Sequence, residues 1–129
     1  MSTNNQIITR SLHELGLVAQ GEAAQPAMAA DMLNIFNGMM SEWEVMDINF
    51  NWFPQDTLSA TCPIPVWAEN GIVSNLAVIS AASMRAPLTE TLVNKAEKGM
   101  MAISTTLINQ KLKSASMTHM PKGSNALNN

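Results

Sequence analysis

Apolar side chains recur every three or four residues in four stretches of the chain, the spacing that places residues on one face of an α-helix. The clearest stretch runs from Pro26 to about Met46. Its apolar face comprises Met28, Met32, Ile35, Phe36, Met39, Trp43 and Met46. Pro26 suits a first helical turn because its missing N–H would have no partner there. Gly38 weakens this helix, and we interpret it as a point where a neighbouring helix comes close.

The first predicted helix covers residues 6–18, with Asn4 or Asn5 as its N-terminal cap. Gly16 suits the position just past its last turn, where the backbone often becomes left-handed. The apolar positions of this helix are Ile7, Ile8, Leu12 and Leu15. Because the connector at residues 19–25 is short, we expect the first two helices to be antiparallel neighbours.

The second half of the chain predicts two more helices. The third covers residues 66–83, and the fourth runs from Pro87 to about Gln110, with Glu90 at its positive end. We therefore expect an all-α, small four-helix bundle-like domain over residues 1–110. The large side chains expected in its core are Phe36, Trp43, Trp67 and Leu76.

Residues 49–67, between helices 2 and 3, carry three prolines and four aromatic residues without a helical period. This composition predicts an ordered loop, because proline limits strand pairing to a sheet edge and long ordered loops are usually functional. Trp52 and Phe53 are either lids on the core or anchors in a partner surface.

The helical spacing ends at Lys111, and residues 111–129 carry three lysines and no acid. We expect a flexible C-terminal arm here, which either orders on a partner or is simply a floppy end. The candidate contact residues of the arm, with a portal or a neighbouring subunit as partner, are Lys111, Lys113, Met117, Met120, Lys122 and Leu127.

Charge is scarce and unevenly distributed. Only 13% of the residues are charged and 47% are apolar, whereas about a quarter charged is usual. A chain with so few charges is expected to hide surface in an assembly. Residues 1–84 hold eight acids and one base, and residues 85–129 hold six bases and two acids. Either the two halves attract within one fold, or they meet head to tail between copies, with Glu42 and Glu44 on the acidic side.

The residue types that carry enzyme chemistry form no recognisable constellation. His13 and His119 are the only histidines: His13 lies on a polar helix face and is expected to be plain surface, and His119 has no nearby acid to orient it. The single Cys62 excludes an internal disulfide and a cysteine-based zinc site. The neighbouring carboxylates Glu42, Glu44 and Asp47 could supply a pair for acid–base chemistry, but a solvated helix end explains them equally well. We expect no enzyme activity, no cofactor and no metal.

Membrane and nucleic-acid binding are also not indicated. No apolar run approaches the roughly 20 residues of a membrane span, and the N-terminus has no signal-peptide pattern. The bases form no clustered face of the kind that grips DNA. An acidic body repels phosphates, which suits a surface that DNA slides past.

A further pattern of apolar, glycine and tryptophan positions extends over about residues 6–110. It comprises Ile7-Ile8-Thr9-Arg10, Leu12, Leu15-Gly16-Leu17, Gly21-Glu22, Ala29-Ala30-Asp31-Met32-Leu33-Asn34, Met39-Met40, Trp43, Trp67, Asn75-Leu76-Ala77, Pro87 and Ala96. This pattern resembles the head-to-tail adaptor proteins of short-tailed bacteriophages, also called the tail accessory factor or packaged-DNA-stabilisation family. The chain departs from the family at Ser11, where alanine is usual, and at residues 47–66, which are shorter than the family's hairpin region.

The resemblance implies a mostly α-helical subunit of a twelve-fold ring, docked beneath the portal protein at the head–tail junction of the virion and made in the host cytoplasm. The ring would extend the DNA channel and help retain the packaged genome. DNA would pass through it without sequence-specific contact, the C-terminal arm would lie against the portal, and a tail or nozzle protein would bind below. The alternative is a small helical regulatory or scaffold protein that binds one partner through its Met-rich face.

Overall fold

The computed structural model describes the backbone of residues 1–118 and the side chains of residues 1–115. Over this range the chain forms α1 (Asn4–Glu14), α2 (Pro26–Val45), a one-turn 3₁₀ helix (Val66–Ala68), α3 (Glu69–Ser80) and α4 (Glu90–Thr118). These residues contain no β-strand, and a single isolated bridge pairs Thr3 with Thr61. The prediction of an all-α domain with four helices is confirmed.

The N-terminal cap of α1 is Thr3. The Thr3 hydroxyl accepts a hydrogen bond from the backbone N–H of Gln6 at 3.1 Å, and the Gln6 side-chain oxygen accepts one from the N–H of Thr3 at 2.8 Å. This reciprocal capping box satisfies two N–H groups that otherwise lack partners. The prediction that Asn4 or Asn5 caps the helix is therefore wrong, and Asn4 lies fully buried in the first turn.

Left-handed residues terminate α1 and α2. Gly16 has a φ of 75°, as predicted, and Asp47 has a φ of 67°. After Asp47 the N–H of Ile48 returns to the carbonyl of Trp43 at 2.8 Å. This bond satisfies a carbonyl of the last helical turn and turns the chain sharply out of the helix. The ends of both helices are thus fixed by local hydrogen bonding.

The main core lies between α1, α2 and α3. Phe36, Trp43 and Leu76 are buried in it, as predicted. Trp67 is not, and that prediction is wrong: its side chain is 43% exposed. It belongs to the 3₁₀ helix rather than to α3, and its ring packs on Phe50 with centroids 5.9 Å apart.

The helices α3 and α4 touch through glycine. A Cβ built on Gly99 would lie 2.7 Å from the Cα of Gly71, closer than two carbons can approach. The side-chain amide of Asn75 donates to the carbonyl of Ala96 at 2.9 Å across the same contact. At Gly38, by contrast, no atom of a neighbouring helix lies within 4 Å of the point that a Cβ would occupy. The close approach predicted at Gly38 is therefore absent among the described residues and occurs at Gly71 and Gly99 instead.

The last helix continues to Thr118, past its predicted end at Gln110. Its 29 residues span about 43 Å, whereas the 12 residues of α3 span about 18 Å, so α4 extends beyond α3. The predicted helix end at Gln110 is wrong because good helix formers follow it and the Lys111 ammonium pairs with the Asp47 carboxylate at 3.3 Å. This helix therefore continues beyond the last residue of its apolar pattern.

Replacing Gly99 with alanine should lower the free energy of unfolding by about 1–3 kcal/mol, because the new methyl group forces α3 and α4 apart. The control Gly38→Ala places the same group in open space and should raise this free energy by about 0.5–1 kcal/mol. Urea denaturation followed by circular dichroism measures both. Equal effects of the two substitutions would contradict the glycine contact.

Candidate functional site

The connector between α2 and the 3₁₀ helix, residues 47–65, is an ordered strap across the start of α1. The N–H groups of Asn4 and Asn5 donate to the carbonyls of Ala60 at 2.9 Å and Leu58 at 2.8 Å. The first N–H groups of a helix have no partners within that helix. The strap therefore supplies them, and the start of α1 and the loop stabilise each other.

Asn37 of α2 fixes the middle of the strap. Its side-chain oxygen accepts hydrogen bonds from the indole N–H of Trp52 at 3.1 Å and the backbone N–H of Gln55 at 2.8 Å. Its side-chain NH₂ donates to the carbonyl of Gln55 at 2.8 Å. The Trp52 ring packs on Phe36, with centroids 4.9 Å apart. Of the two interpretations of Trp52, the structure supports the lid on the core.

Beneath the strap lies a buried amide pair. The side-chain NH₂ of Asn4 donates to the side-chain oxygen of Gln55 at 3.0 Å and to the carbonyl of Thr57 at 2.9 Å. The NH₂ of Gln55 in turn donates to the carbonyl of Phe53 at 2.9 Å. The backbone of Phe53 is thus held while its side chain remains 59% exposed. This presentation fits the interpretation of Phe53 as a contact for a partner.

Sequence reasoning misses the role of both amides. The helical spacing puts Asn37 on the polar face of α2 and makes Asn4 a candidate cap. A signal for Asn4 does exist, since it precedes the buried Ile8 by four residues and so lies on the same face of α1. Nothing in the sequence around Asn37 distinguishes it from an exposed polar residue, because its partners are fifteen or more residues away.

A buried carboxylate ties the N-terminus to α3. Glu69 accepts hydrogen bonds from the backbone N–H of Ser2 at 3.2 Å and the Ser2 hydroxyl at 2.9 Å, and forms an ion pair with Arg10 at 3.2 Å. Arg10 also donates to the side-chain oxygen of Asn70. Nearby, burial raises the pKa of the Cys62 thiol to about 12, and the Glu69 charge adds to this rise. Cys62 is therefore not an activated nucleophile.

Four further charged or titratable side chains line one open pocket of about 330 Å³ between α1, α3 and α4: Arg10, His13, Glu14 and Lys95. Within residues 1–115, no three His, Cys, Asp or Glu side chains come together in a way that could hold a metal ion. His13 is exposed, and its ring lies 2.9 Å from the side-chain oxygen of Gln20. Among the described helices, none combines the length and apolar character needed to cross a membrane.

The ion pairs bear on the uneven charge distribution. Lys95 pairs with Glu14 at 2.9 Å and Lys111 with Asp47 at 3.3 Å, so the basic half does attract the acidic half within one chain. Glu42 and Glu44 are exposed at the end of α2 and have no ion pair with any described residue. Attraction between the acidic and basic parts within one chain thus accounts for part of the uneven charge distribution. It does not account for the acidic end of α2 at Glu42 and Glu44.

The candidate residues of the C-terminal arm are only partly described. Lys111 and Lys113 are exposed on α4. Met117 lies in the last turn of α4, where the side chains are not described. The remaining candidates, Met120, Lys122 and Leu127, lie outside the described residues.

The side of α4 away from the core carries large exposed apolar residues that the sequence pattern does not single out. Met101 is 68% exposed, Ile108 55% and Leu112 63%, and we call these three residues the outer face of α4. Beside Met101, a shallow apolar groove of about 500 Å³ runs between α3 and α4, lined in part by Val78 and Val93.

No protein-family model matches the chain, and no curated protein matches it in sequence. The resemblance to the phage adaptor family therefore rests on the residue pattern given above.

Asn37→Ala should lower the free energy of unfolding by about 2 kcal/mol, because the Trp52 indole and the Gln55 N–H lose their shared acceptor. The control Asn34→Ala removes the same side chain one turn earlier, where it is exposed, and should change stability by less than about 0.5 kcal/mol. Urea denaturation compares the two. Equal stabilities would show that Asn37 does not hold the strap.

Cys62 should be almost unreactive toward a chromogenic disulfide reagent in the folded protein at pH 8 and should react rapidly after unfolding in urea. Because the thiol pKa is raised in the native state, the unfolded chain ionises first, and stability should fall as pH rises above about 8.5. The difference between the urea midpoints at pH 7.5 and 9.5, compared with that of Cys62→Ala, isolates this effect. Immediate labelling of the folded protein would contradict the burial.

Proposed function

We propose that this chain is a structural virion protein, a head-to-tail adaptor subunit of a short-tailed bacteriophage. In this proposal, copies form a ring beneath the portal protein, extend the DNA channel and help retain the packaged genome. The observation that carries the proposal is the exposed outer face of α4, together with the resemblance over residues 6–110.

The outer face supports an assembling rather than a solitary chain. Scattered single apolar residues on a surface need no explanation, but large exposed apolar residues aligned on one helix face favour an interaction site. Met101, Ile108 and Leu112 recur at steps of seven and four residues, so they lie in one line along α4. Because only 13% of the residues are charged, few charges are available to keep a chain with this exposed apolar line soluble without a partner.

The use of the buried polar groups also supports a structural role. Glu69 is engaged by Ser2 and Arg10, and Asn37 by the strap, so the best-placed polar side chains hold the fold together. The raised pKa of Cys62 removes the most reactive side-chain type from consideration. These groups stabilise a rigid wedge and provide no acid, base or nucleophile directed at a cleft.

The alternative, a regulator that binds one partner through a Met-rich face, requires that this face be exposed. Met32, Met39 and Met40 of α2 are almost completely buried in the core, so that face is not available to a partner. A regulator of this chain would have to use α4 or Phe53 instead.

The partners of the proposed ring follow from its position. The portal protein lies above, other copies of the chain lie on either side, in a dodecamer by analogy with the resembled family, and a tail or nozzle protein lies below. The acidic first half of the chain repels phosphates, which favours passage of DNA through the channel without sequence-specific contact. The ring belongs to the virion and its subunits are made in the host cytoplasm.

Sedimentation velocity of the purified chain, alone and mixed with the portal protein of the same phage, tests the proposal. We expect a monomer alone and a ring-sized complex with portal, because the template supplies the contacts that offset the entropy of assembly. An unrelated small helical protein mixed with portal serves as the control. A stable dimer that ignores portal would contradict the adaptor role and favour a regulator.

A further inference from the structure

The outer face of α4 lies on the side of the helix opposite its packing face. At about 100° per residue, Met101, Ile108 and Leu112 fall within about 40° of one another and roughly 180° from Leu92, which is buried. Ile108 borders a groove that it shares with the strap, yet all three side chains remain more than half exposed over the described residues. The face is therefore open to a second molecule.

Charge identifies the kind of surface that fits. Over its described length α4 carries four lysines and two acids, and both acids, Glu90 and Glu97, lie in its first third. In a parallel pair with α4 of a second copy, the lysines of the C-terminal part would face one another. An acidic helix is the complementary partner, and α2 is such a helix, with Asp31, Glu42 and Glu44 and no base.

The exposed side of α2 has the shape to receive bulky side chains. Its residues include Ala30, Asn34, Gly38 and Ser41, all small and all exposed. Gly38 weakens the helix, and over the part of the chain that the structure describes no neighbouring atom lies within 4 Å of the point that its Cβ would occupy. Elsewhere in this fold, glycine in a helix serves to let another helix approach closely, as Gly71 and Gly99 show.

We propose that the outer face of α4 in one copy packs across α2 of the next copy at Gly38. Ile108 and Leu112 lie over the glycine, and Lys113 lies beside Glu42, one helical turn away from it. This contact is heterologous, so each copy offers α4 on one side and α2 on the other, and repetition builds a ring or a filament. The inference rests on the proposed ring and names the surfaces that form it.

The variant Gly38→Ala distinguishes an effect on this contact from an effect on the stability of the isolated chain. In the isolated chain the substitution should raise the melting temperature, because alanine favours the helix and meets nothing. In assembly on portal it should raise the concentration for half-maximal oligomer at least tenfold, because the new methyl group keeps α4 away. Unchanged or improved assembly of Gly38→Ala would overturn the proposal.

Substitutions on α4 test the other side of the contact. Ile108→Glu with Leu112→Glu should reduce assembly at least tenfold while the helix content of the free chain is unchanged. Val66→Glu adds one of these two charges at an exposed apolar residue outside both helices and should assemble normally. Equal loss in the control would overturn the assignment of the face.

A charge swap supplies the most specific result. Glu42→Lys and Lys113→Glu should each weaken assembly several-fold, and the double variant should recover most of the loss. If wild type assembles on portal but the swap does not rescue, the interface is wrong while the ring stands. If the wild-type chain never assembles on portal, the proposed ring is wrong. If it forms only dimers, and Ile108→Glu abolishes them, α4 pairs with α4 of a second copy instead.

Discussion

The backbone contact between Gly71 and Gly99 determines how α4 is rotated on the rest of the protein. Because the backbones of Gly71 and Gly99 touch directly, a rotation of α4 about its own axis would drive a side chain into α3. The hydrogen bond from Asn75 to the Ala96 carbonyl fixes the same register. The line of Met101, Ile108 and Leu112 is therefore directed outward by a constraint on the opposite side of the helix, and the proposed assembly surface depends on that constraint.

The strap, residues 47–65, fixes the position of another exposed residue, Phe53. It is irregular in backbone, yet its polar groups are paired with the start of α1 and with Asn37. The side-chain amides of Asn37 and Gln55 are paired in this way, whereas the side-chain oxygen of Asn4 is buried without a hydrogen-bond partner. These bonds make the loop specific, because displacing it would leave further buried polar groups without partners. Phe53 is thus presented from a firm base, which lowers the entropy cost of binding a partner.

Sequence reasoning succeeds where structure is decided locally. The spacing of Met32, Phe36 and Trp43 identifies α2, and Gly16 marks the end of α1. It fails where the deciding partner is distant in sequence. The pairing of Gly71 with Gly99 and the capture of Trp52 by Asn37 depend on tertiary contacts. The end of α4 is misplaced because apolar spacing reports packing, whereas a projecting helix can continue on propensity alone.

The central claim is that α4 of one copy meets α2 of the next. Cysteines at two exposed positions on these faces, Ser41→Cys and Thr105→Cys, combined in one chain and treated with a short bis-maleimide, test it most directly, since native Cys62 is buried with a raised pKa. The account predicts a ladder of multimers in the portal-bound assembly, joined between residues 41 and 105 of adjacent copies, and no ladder from either single variant. Dimers joined only through residue 105, or no cross-links in an assembled ring, would contradict it.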